Sequence, residues 1–335
     1  MTTRGLFELG IYGALCGDAY GVPYEFKSAE ELPNFDNITM NPTATLPDFR
    51  KTYPSVPFGT WSDDGAQMLC LLDTLASDNS SPECFEEDLL QSFKLWHDTG
   101  YMTPDGVVFD IGNQTRSVLG GETSPFNNSI GNGSLMRCLP ITLWYHGDKT
   151  KIVEEAMRQS RVTHGNLVCQ VGCALYCLWA ECIIDGMTIE DAYRDAHGTL
   201  SAWFLAEGMM EHFDALTKAD TGVPNGHGDV PNTLATVRKV LSLRLPGDIG
   251  TDIAIQAQAQ EKYHGEPPRH MSCTPFEASI RNAISFGEDT DTTSCLVGGL
   301  AALYYKEISD SLMEALRGRH IAQQVIDRAI AAKNG

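Results

Sequence analysis

Apolar residues recur every three or four positions along most of this chain, and that spacing predicts helix after helix. Leu6, Leu9, Tyr12, Leu15 and Cys16 mark the first, over residues 6–20, with Gly10, Gly13, Gly17 and Gly21 along an adjacent strip. Glycine inside a helix costs roughly 0.5–1 kcal/mol against alanine, so a strip of glycines predicts a helix packed close against another. Met68, Leu69, Leu72, Leu75 and Ala76 outline a buried helix from Gly65. Ser81-Pro82 is a start signal, a cap followed by proline at the first helical position, for a segment that reaches Trp96 and ends at Gly100. Further helical patterns cover 134–146, 151–160, 166–184, 188–216, 232–243, 276–285, 292–306 and 309–332. Alternating strand patterns are nearly absent, so the expected fold class is all-α.

Between the helices, residues 40–60 carry Pro42, Pro47, Pro54 and Pro57 and read as an ordered loop. Loops of that length are often functional. The stretches 219–231 and 263–275 punctuate the chain, but no linker divides it, and the expectation is one domain over 1–335.

Composition narrows the function. A formal net charge of −20 and a pI of about 4.7 argue against a nucleic-acid binder, which needs a basic patch to neutralise phosphates. No run of some eighteen apolar residues stands out as a membrane span, and Met1-Thr2-Thr3-Arg4-Gly5-Leu6 leads into a helix without a signal-peptide pattern, so a cytoplasmic protein is expected. Cys169, Cys173 and Cys177 share one helix face, followed by Cys182. With no C-x-x-C pair among the ten cysteines, core packing is favoured over a soft-metal site.

Two acidic clusters carry the chemistry. Ser62-Asp63-Asp64-Gly65 and Asp289-Thr290-Asp291-Thr292-Thr293 each precede a run that reads as a buried helix. At a helix start several side chains can be aimed at one point, and a single such cluster would be an ordinary cap. Brought together, the two supply carboxylates and hydroxyls, hard oxygen ligands suited to Mg²⁺, Mn²⁺ or Ca²⁺ rather than zinc. Little besides such ions could keep four ionised carboxylates in one site. Asp289-x-Asp291-x-Thr293 also fits a haloacid-dehalogenase nucleophile motif, but that motif should follow an apolar strand near the start of a doubly wound domain. Here helix flanks it near the C-terminus.

Other segments are weaker alone. Gly131-Asn132-Gly133-Ser134-Leu135-Met136-Arg137, after Asn127-Asn128-Ser129, could admit a phosphate to backbone N–H groups, though turn residues before a cap look the same. Glu25 follows the glycine-rich helix among aromatics, where its pKa could rise. His164 sits beside Thr163, and helix capping by Thr163 or Asn166 explains that segment equally well. Asp110 in Phe109-Asp110-Ile111-Gly112-Asn113 is ambiguous by itself.

In order, GALCGDAYGVPYEF at 13–26, WSDDG at 61–65, FDIGNQT at 109–115, GNGSLMR at 131–137, the Thr-His at 163 and 164 and GEDTDTTSCLVGGLAA at 287–302 resemble the ADP-ribosylglycohydrolase family, of the dinitrogenase reductase-activating glycohydrolase type. The resemblance implies an orthogonal helical bundle with a dinuclear Mg²⁺ site, Mn²⁺ being the other candidate, in a cleft that binds ADP-ribose. Its metal ligands would be Ser62, Asp63, Asp64, Asp289, Asp291 and Thr292. Glu25, Asp63, Asp110 and Asp289 would be catalytic. Ser129, Ile130, Gly131, Asn132, Gly133 and His164 would bind the substrate, the loop cradling the diphosphate. Ser62 stands where many relatives have threonine, Gly65 replaces another frequent threonine, and Glu288 replaces a frequent glycine.

The reaction implied is hydrolysis of the bond between ribose C1″ and a protein side chain, with arginine the favoured linkage because FDIGNQT and GNGSLMR look closest to the founding type. Glu25 matches the glutamate that serine-linked ADP-ribose hydrolases keep near the metals, which leaves a serine-linked or poly(ADP-ribose) hydrolase as an alternative. A non-catalytic ADP-ribose binder or a toxin-immunity protein is a third. The expected partner is an ADP-ribosylated protein, and the oligomeric state is not legible.

Overall fold

The computed structural model describes residues 1–77, 83–243 and 273–334. Its first helix, α1 (Thr3–Gly21), opens on Thr2, whose hydroxyl accepts from the Gly5 N–H. The order continues with α2 (Asp63–Leu75), α3 (Phe85–Thr99), α4 (Asn113–Leu119), α5 (Leu139–Tyr145), α6 (Lys149–Arg161) and α7 (Leu167–Ile184). After these come α8 (Ile189–Ala206), α9 (Met210–Ala219), α10 (Val230–Ser242), α11 (Pro275–Ile284), α12 (Thr290–Tyr305), α13 (Asp310–Ala315) and α14 (Arg319–Asn334). The only paired strands among the described residues are two-residue segments, β1 (Lys27–Ser28) antiparallel to β2 (Gly287–Glu288), with Lys27 opposite Glu288. The class is all-α, as the periodicity predicts.

The glycine strip of α1 does what its cost requires. A Cβ on Gly17 would stand 1.9 Å from the Ser294 carbonyl oxygen, and one on Gly13 2.6 Å from that of Gly298. Gly298 answers from α12, where a Cβ would meet the Gly13 oxygen at 2.3 Å. Two helices can approach this closely only where side chains are missing, so α1 and α12 lie backbone against backbone. At Gly21 the same packing brings the end of α1 against Thr290 and Asp291, and the β1–β2 pair continues the contact. Residues near the two ends of the chain are thereby fixed side by side.

α7 runs through the core, capped by Asn166, whose side chain accepts from the Val168 N–H. It is long and apolar enough to cross a membrane, contrary to the expectation from the sequence, but most of it is buried against other helices of the protein. Cys169, Cys173, Cys177 and Cys182 lie buried on it as free thiols, which is the packing role expected of them.

Several boundaries differ from the sequence expectation. The helix expected over 188–216 is two, broken around Gly208 at φ +68°, and that over 309–332 is broken at Gly318 at φ +69°. The segment expected as helix over 134–146 is helical only from Leu139, because 133–137 forms turns. The short α4 carries no visible apolar period, and none was expected there. Ser81-Pro82 lies outside the described residues, as does most of 263–275. Gly100 closes α3 at φ +73°, and the proline-rich stretch is an irregular loop with a short 3₁₀ turn at Pro42–Ala44.

Candidate active site

The first acidic cluster is the N-terminus of α2. Ser62 is its cap, with Oγ accepting from the Asp64 N–H at 3.2 Å, and Asp63 and Asp64 occupy the first turn, both buried. Asp18, in the last turn of α1, completes the cap from a distance. Its carboxylate accepts from the Ser62 N–H at 2.9 and 3.1 Å and from the Gly65 N–H at 2.8 Å. Burial, together with the charge of Asp291, pushes the Asp18 pKa up to about 8. Asp18 was not among the expected site residues, since one aspartate within a helical pattern carries no signal of what it touches 44 residues later.

The second cluster is the N-terminus of α12. Asp289 precedes the helix with its N–H donating to the Gly226 carbonyl at 3.0 Å, while its Oδ2 accepts from Asn132 Nδ2 at 2.7 Å. Asp291 Oδ1 accepts from the Thr292 N–H at 2.9 Å. The Thr292 hydroxyl then reaches Asp64 Oδ1 at 3.4 Å, joining clusters more than two hundred residues apart in sequence. Glu25, just past α1, completes the group: one oxygen from each of Glu25, Asp289 and Asp291 lies within 4.8 Å of the others. Asp110 enters from the loop before α4, in a left-handed backbone conformation at φ +59°. Tyr53 donates to its Oδ1 at 2.7 Å, and its carboxyl lies near those of Asp291 and Glu25.

So many carboxyls in one buried place oppose one another's ionisation. Burial first, then neighbouring carboxylates, raises the pKa of Glu25, Asp63, Asp64 and Asp291 well above the ordinary range, and that of Asp289 to about 7. Burial also raises Asp110. Glu25 Oε2, Asp64 Oδ2 and Asp291 Oδ2 are buried without a hydrogen-bond partner among the described residues. A buried oxygen left unpaired costs about 1–3 kcal/mol, and three on facing segments are what a cation coordinated from both sides would satisfy. The donors are all hard oxygens, so the set fits a divalent ion such as Mg²⁺ or Mn²⁺. Ser62, Asp63, Asp64, Asp289, Asp291 and Thr292 all lie at this place.

The segment Gly131–Arg137 adjoins the acidic group through Asn132, which donates to Asp289. Gly131 forms an isolated antiparallel bridge with Asp229, through Val230 N–H to the Ile130 carbonyl at 2.9 Å. Three N–H groups of the loop 129–132 already have partners: Ser129 donates to Asn127 Oδ1 at 2.8 Å, Gly131 to Ser129 Oγ at 3.5 Å and Asn132 to the Gly228 carbonyl at 3.3 Å. A diphosphate cradle at this loop would have to draw on other donors or displace the two long bonds. His164 is one such group. It is buried beneath the loop, its ring 2.9 Å from the position of a Cβ on Gly133. Burial and then Arg137 push its pKa down to about 3, so it is neutral.

The loop 226–229, expected only as punctuation, is part of the site. A Cβ on Gly228 would stand 2.7 Å from Asp289 Oδ2, and Gly226, at φ +77°, holds the Asp289 N–H. Tyr53 and Gln67 are further residues the sequence did not flag. Gln67 donates from Nε2 to Asp63 Oδ2 at 2.8 Å.

Known proteins place this arrangement. A solved structure described as an ADP-ribosylglycohydrolase-related protein complex superposes with a TM-score of 0.66 over 99% of this chain and 98% of that one, at 21% identity, which establishes a shared fold. ADP-ribosylarginine hydrolase Tri1 of Serratia proteamaculans is 25% identical over 194 residues, 55% of this chain and 48% of that protein. The Tri1 of Pseudomonas putida is 30% identical over 162 residues, 46% and 40% of the two chains. The match therefore spans less than half the length of those two relatives. Human ADP-ribosylhydrolase ARH3 is 23% identical over 337 residues, 91% of this chain and 87% of that one. Since the family model for ADP-ribosylglycohydrolase matches residues 5–335, nearly the whole sequence, the chain belongs to the ADP-ribosylglycohydrolase family.

Proposed function

We propose that this protein is a Mg²⁺-dependent hydrolase that releases ADP-ribose from modified protein side chains, with arginine as the linkage. The observation that carries the reading is the convergence of Glu25, Asp63, Asp64, Asp110, Asp289 and Asp291 on one buried site with three oxygens unpaired. Ser62, Asp63, Asp64, Asp289, Asp291 and Thr292 would hold two cations. Such ions, when bound, supply Lewis acidity toward ribose hydroxyls and water. Glu25, a buried carboxyl that is a strong base once ionised, takes the proton of the attacking water as the bond at C1″ breaks. That proton ends on the departing nitrogen, and the water oxygen on C1″. Asp110, held by Tyr53, pairs with the departing guanidinium, since a carboxylate has lone pairs to spare beyond one phenol. The Gly131–Gly133 loop and His164 take the diphosphate. We read the chain as one domain and place it in the cytoplasm, a placement supported by ten free thiols.

A second reading rests on Glu25, whose oxygen stands with those of Asp289 and Asp291. A carboxylate at that place is what the resemblance associates with serine-linked hydrolases, and an enzyme of that type would release serine-linked ADP-ribose instead. Peptides carrying arginine-, serine- or cysteine-linked ADP-ribose, incubated with Mg²⁺ or with EDTA, separate these. The expected result is ADP-ribose released from the arginine-linked peptide, lost in EDTA and in Asp291→Ala. Release confined to the serine-linked peptide would favour the second reading. Tight ADP-ribose binding without release from any peptide would make the protein a binder or an immunity factor.

A further inference from the structure

We propose that a buried relay through Asp63, Gln67, Arg137, Thr163 and His164 fixes the His164 tautomer, so that Nε2–H is offered as a donor to an oxygen of the ligand held at the Gly131–Gly133 loop. Gln67, Arg137 and Thr163 are then positioning residues. The proposal rests on the reading that this loop takes the diphosphate of ADP-ribose.

The direction of every bond in the relay follows from Arg137, whose guanidinium can only donate. The side chain is fully buried, stacked over Phe93 with its carbon 4.3 Å from the ring centre. Its Nε donates to Gln159 Oε1 at 3.1 Å. One terminal nitrogen donates to Gln67 Oε1 at 2.6 Å and the other to Thr163 Oγ1 at 2.8 Å. Gln67 must therefore turn its oxygen toward the guanidinium, which leaves its NH₂ facing Asp63 Oδ2. The reversed amide would set NH₂ against a cation and a carbonyl against a carboxylate.

At the other end, Thr163 Oγ1 lies 2.8 Å from His164 Nδ1. The hydroxyl has one proton, and it already accepts from Arg137. If Nδ1 carried a proton, the Thr163 hydroxyl hydrogen would be left with no acceptor among the described residues, in a fully buried place, at a cost of about 1–3 kcal/mol. The hydroxyl therefore donates to Nδ1, and a neutral imidazole then holds its proton on Nε2. That nitrogen faces the loop, 3.1 Å from the position of a Cβ on Gly133 and 3.8 Å from one on Gly131. The two glycines put no side chain of their own in front of it; the hydroxyls of Thr115 and Ser129 border the same space, 3.5 Å from the Gly133 Cβ position and 3.6 Å from that of Gly131, and a phosphate oxygen is an acceptor of the right kind for such donors.

Long-range ¹H–¹⁵N imidazole spectra of the full chain at neutral pH, with the His164 signals assigned by their loss in His164→Gln, read the tautomer directly. The expected result is a bare Nδ1 and a protonated Nε2. Thr163→Val should erase that preference and weaken ADP-ribose binding about tenfold, the effect of one lost hydrogen bond, while kcat stays within about twofold. Thr163→Ser should restore both. An Nδ1–H tautomer in the wild type overturns the relay, and so does a Thr163→Val protein with unchanged tautomer and affinity. If Thr163→Val does not fold, the wild-type spectrum still decides. A protonated Nε2 in a wild-type protein that fails to bind ADP-ribose would support the relay and overturn the functional reading instead.

Discussion

Gly65 and Glu288 are, besides Ser62, the positions next to the acidic clusters where the motifs of this chain depart from the residues expected from the resemblance, and each has a local cause or cost. A Cβ at Gly65 would meet Leu15 Cδ2 at 2.6 Å, Asp18 Oδ2 at 2.9 Å and Trp61 Cδ1 at 2.9 Å. Restoring the family's threonine, Gly65→Thr, should therefore destabilise the protein by about 1–3 kcal/mol through overpacking, although glycine is the poorer helix former. A urea melt measures it, and an unchanged midpoint would mean that the Asp18 cap yields without cost. Glu288 stands at φ +61°, where an L-residue pays about 1–2 kcal/mol that glycine would not. At this scale the meeting of the two acidic clusters was legible, because paired carboxylates before two buried helices suggest a shared site. Asp18, Tyr53 and Gln67 were not, because an aspartate in a helical pattern, a tyrosine in a proline-rich loop and a glutamine in a buried helix look ordinary until the fold supplies their partners.

Among elements, the contact between α1 and α12 determines whether the site exists at all. It was legible in outline, since a strip of glycines along a helix has no local benefit and calls for a close neighbour. Which helix answers it was not, because periodicity carries no information about partners. Gly17→Ala tests the dependence of the site on this contact. Its new Cβ would overlap the Ser294 carbonyl, which belongs to a helix backbone and cannot rotate away. The expected outcome is a loss of about 1–3 kcal/mol in stability and weaker Mg²⁺ binding by calorimetry, because Asp291 on α12 moves relative to Glu25 beyond α1. Unchanged Mg²⁺ affinity would separate the site from this packing. The breaks at Gly208 and Gly318 escaped the sequence reading for the opposite reason: apolar spacing resumes on both sides of each glycine, and only the positive φ reveals the turn.

For the whole molecule, the site is a concentration of negative charge inside a chain that is already strongly acidic, with a net charge of −20. Its carboxyls are held above their ordinary pKa by burial and by one another, so the folded state binds more protons than the unfolded one. Stability must then fall with rising pH. The stabilisation is present below the ordinary carboxylate range and is lost progressively as the pH climbs through the folded values, about 7 for Asp289 and about 8 for Asp18. In EDTA, the melting temperature should decline from about pH 4 to about pH 8, the interval between the ordinary carboxylate range and the folded values of those two groups. Added Mg²⁺ should reverse the decline near pH 8, where ionised carboxylates can take the ion. At a hundred times its Kd, a ligand confined to the folded state contributes about 2.7 kcal/mol. Self-repulsion of the surface would also lower stability at high pH, but Asp291→Asn distinguishes the two. It removes one member of the buried set and leaves the surface unchanged, so it should flatten the EDTA profile and abolish most of the Mg²⁺ response. A melting temperature that rises with pH in EDTA, or a Mg²⁺ response that survives Asp291→Asn, would place the ion elsewhere on the molecule.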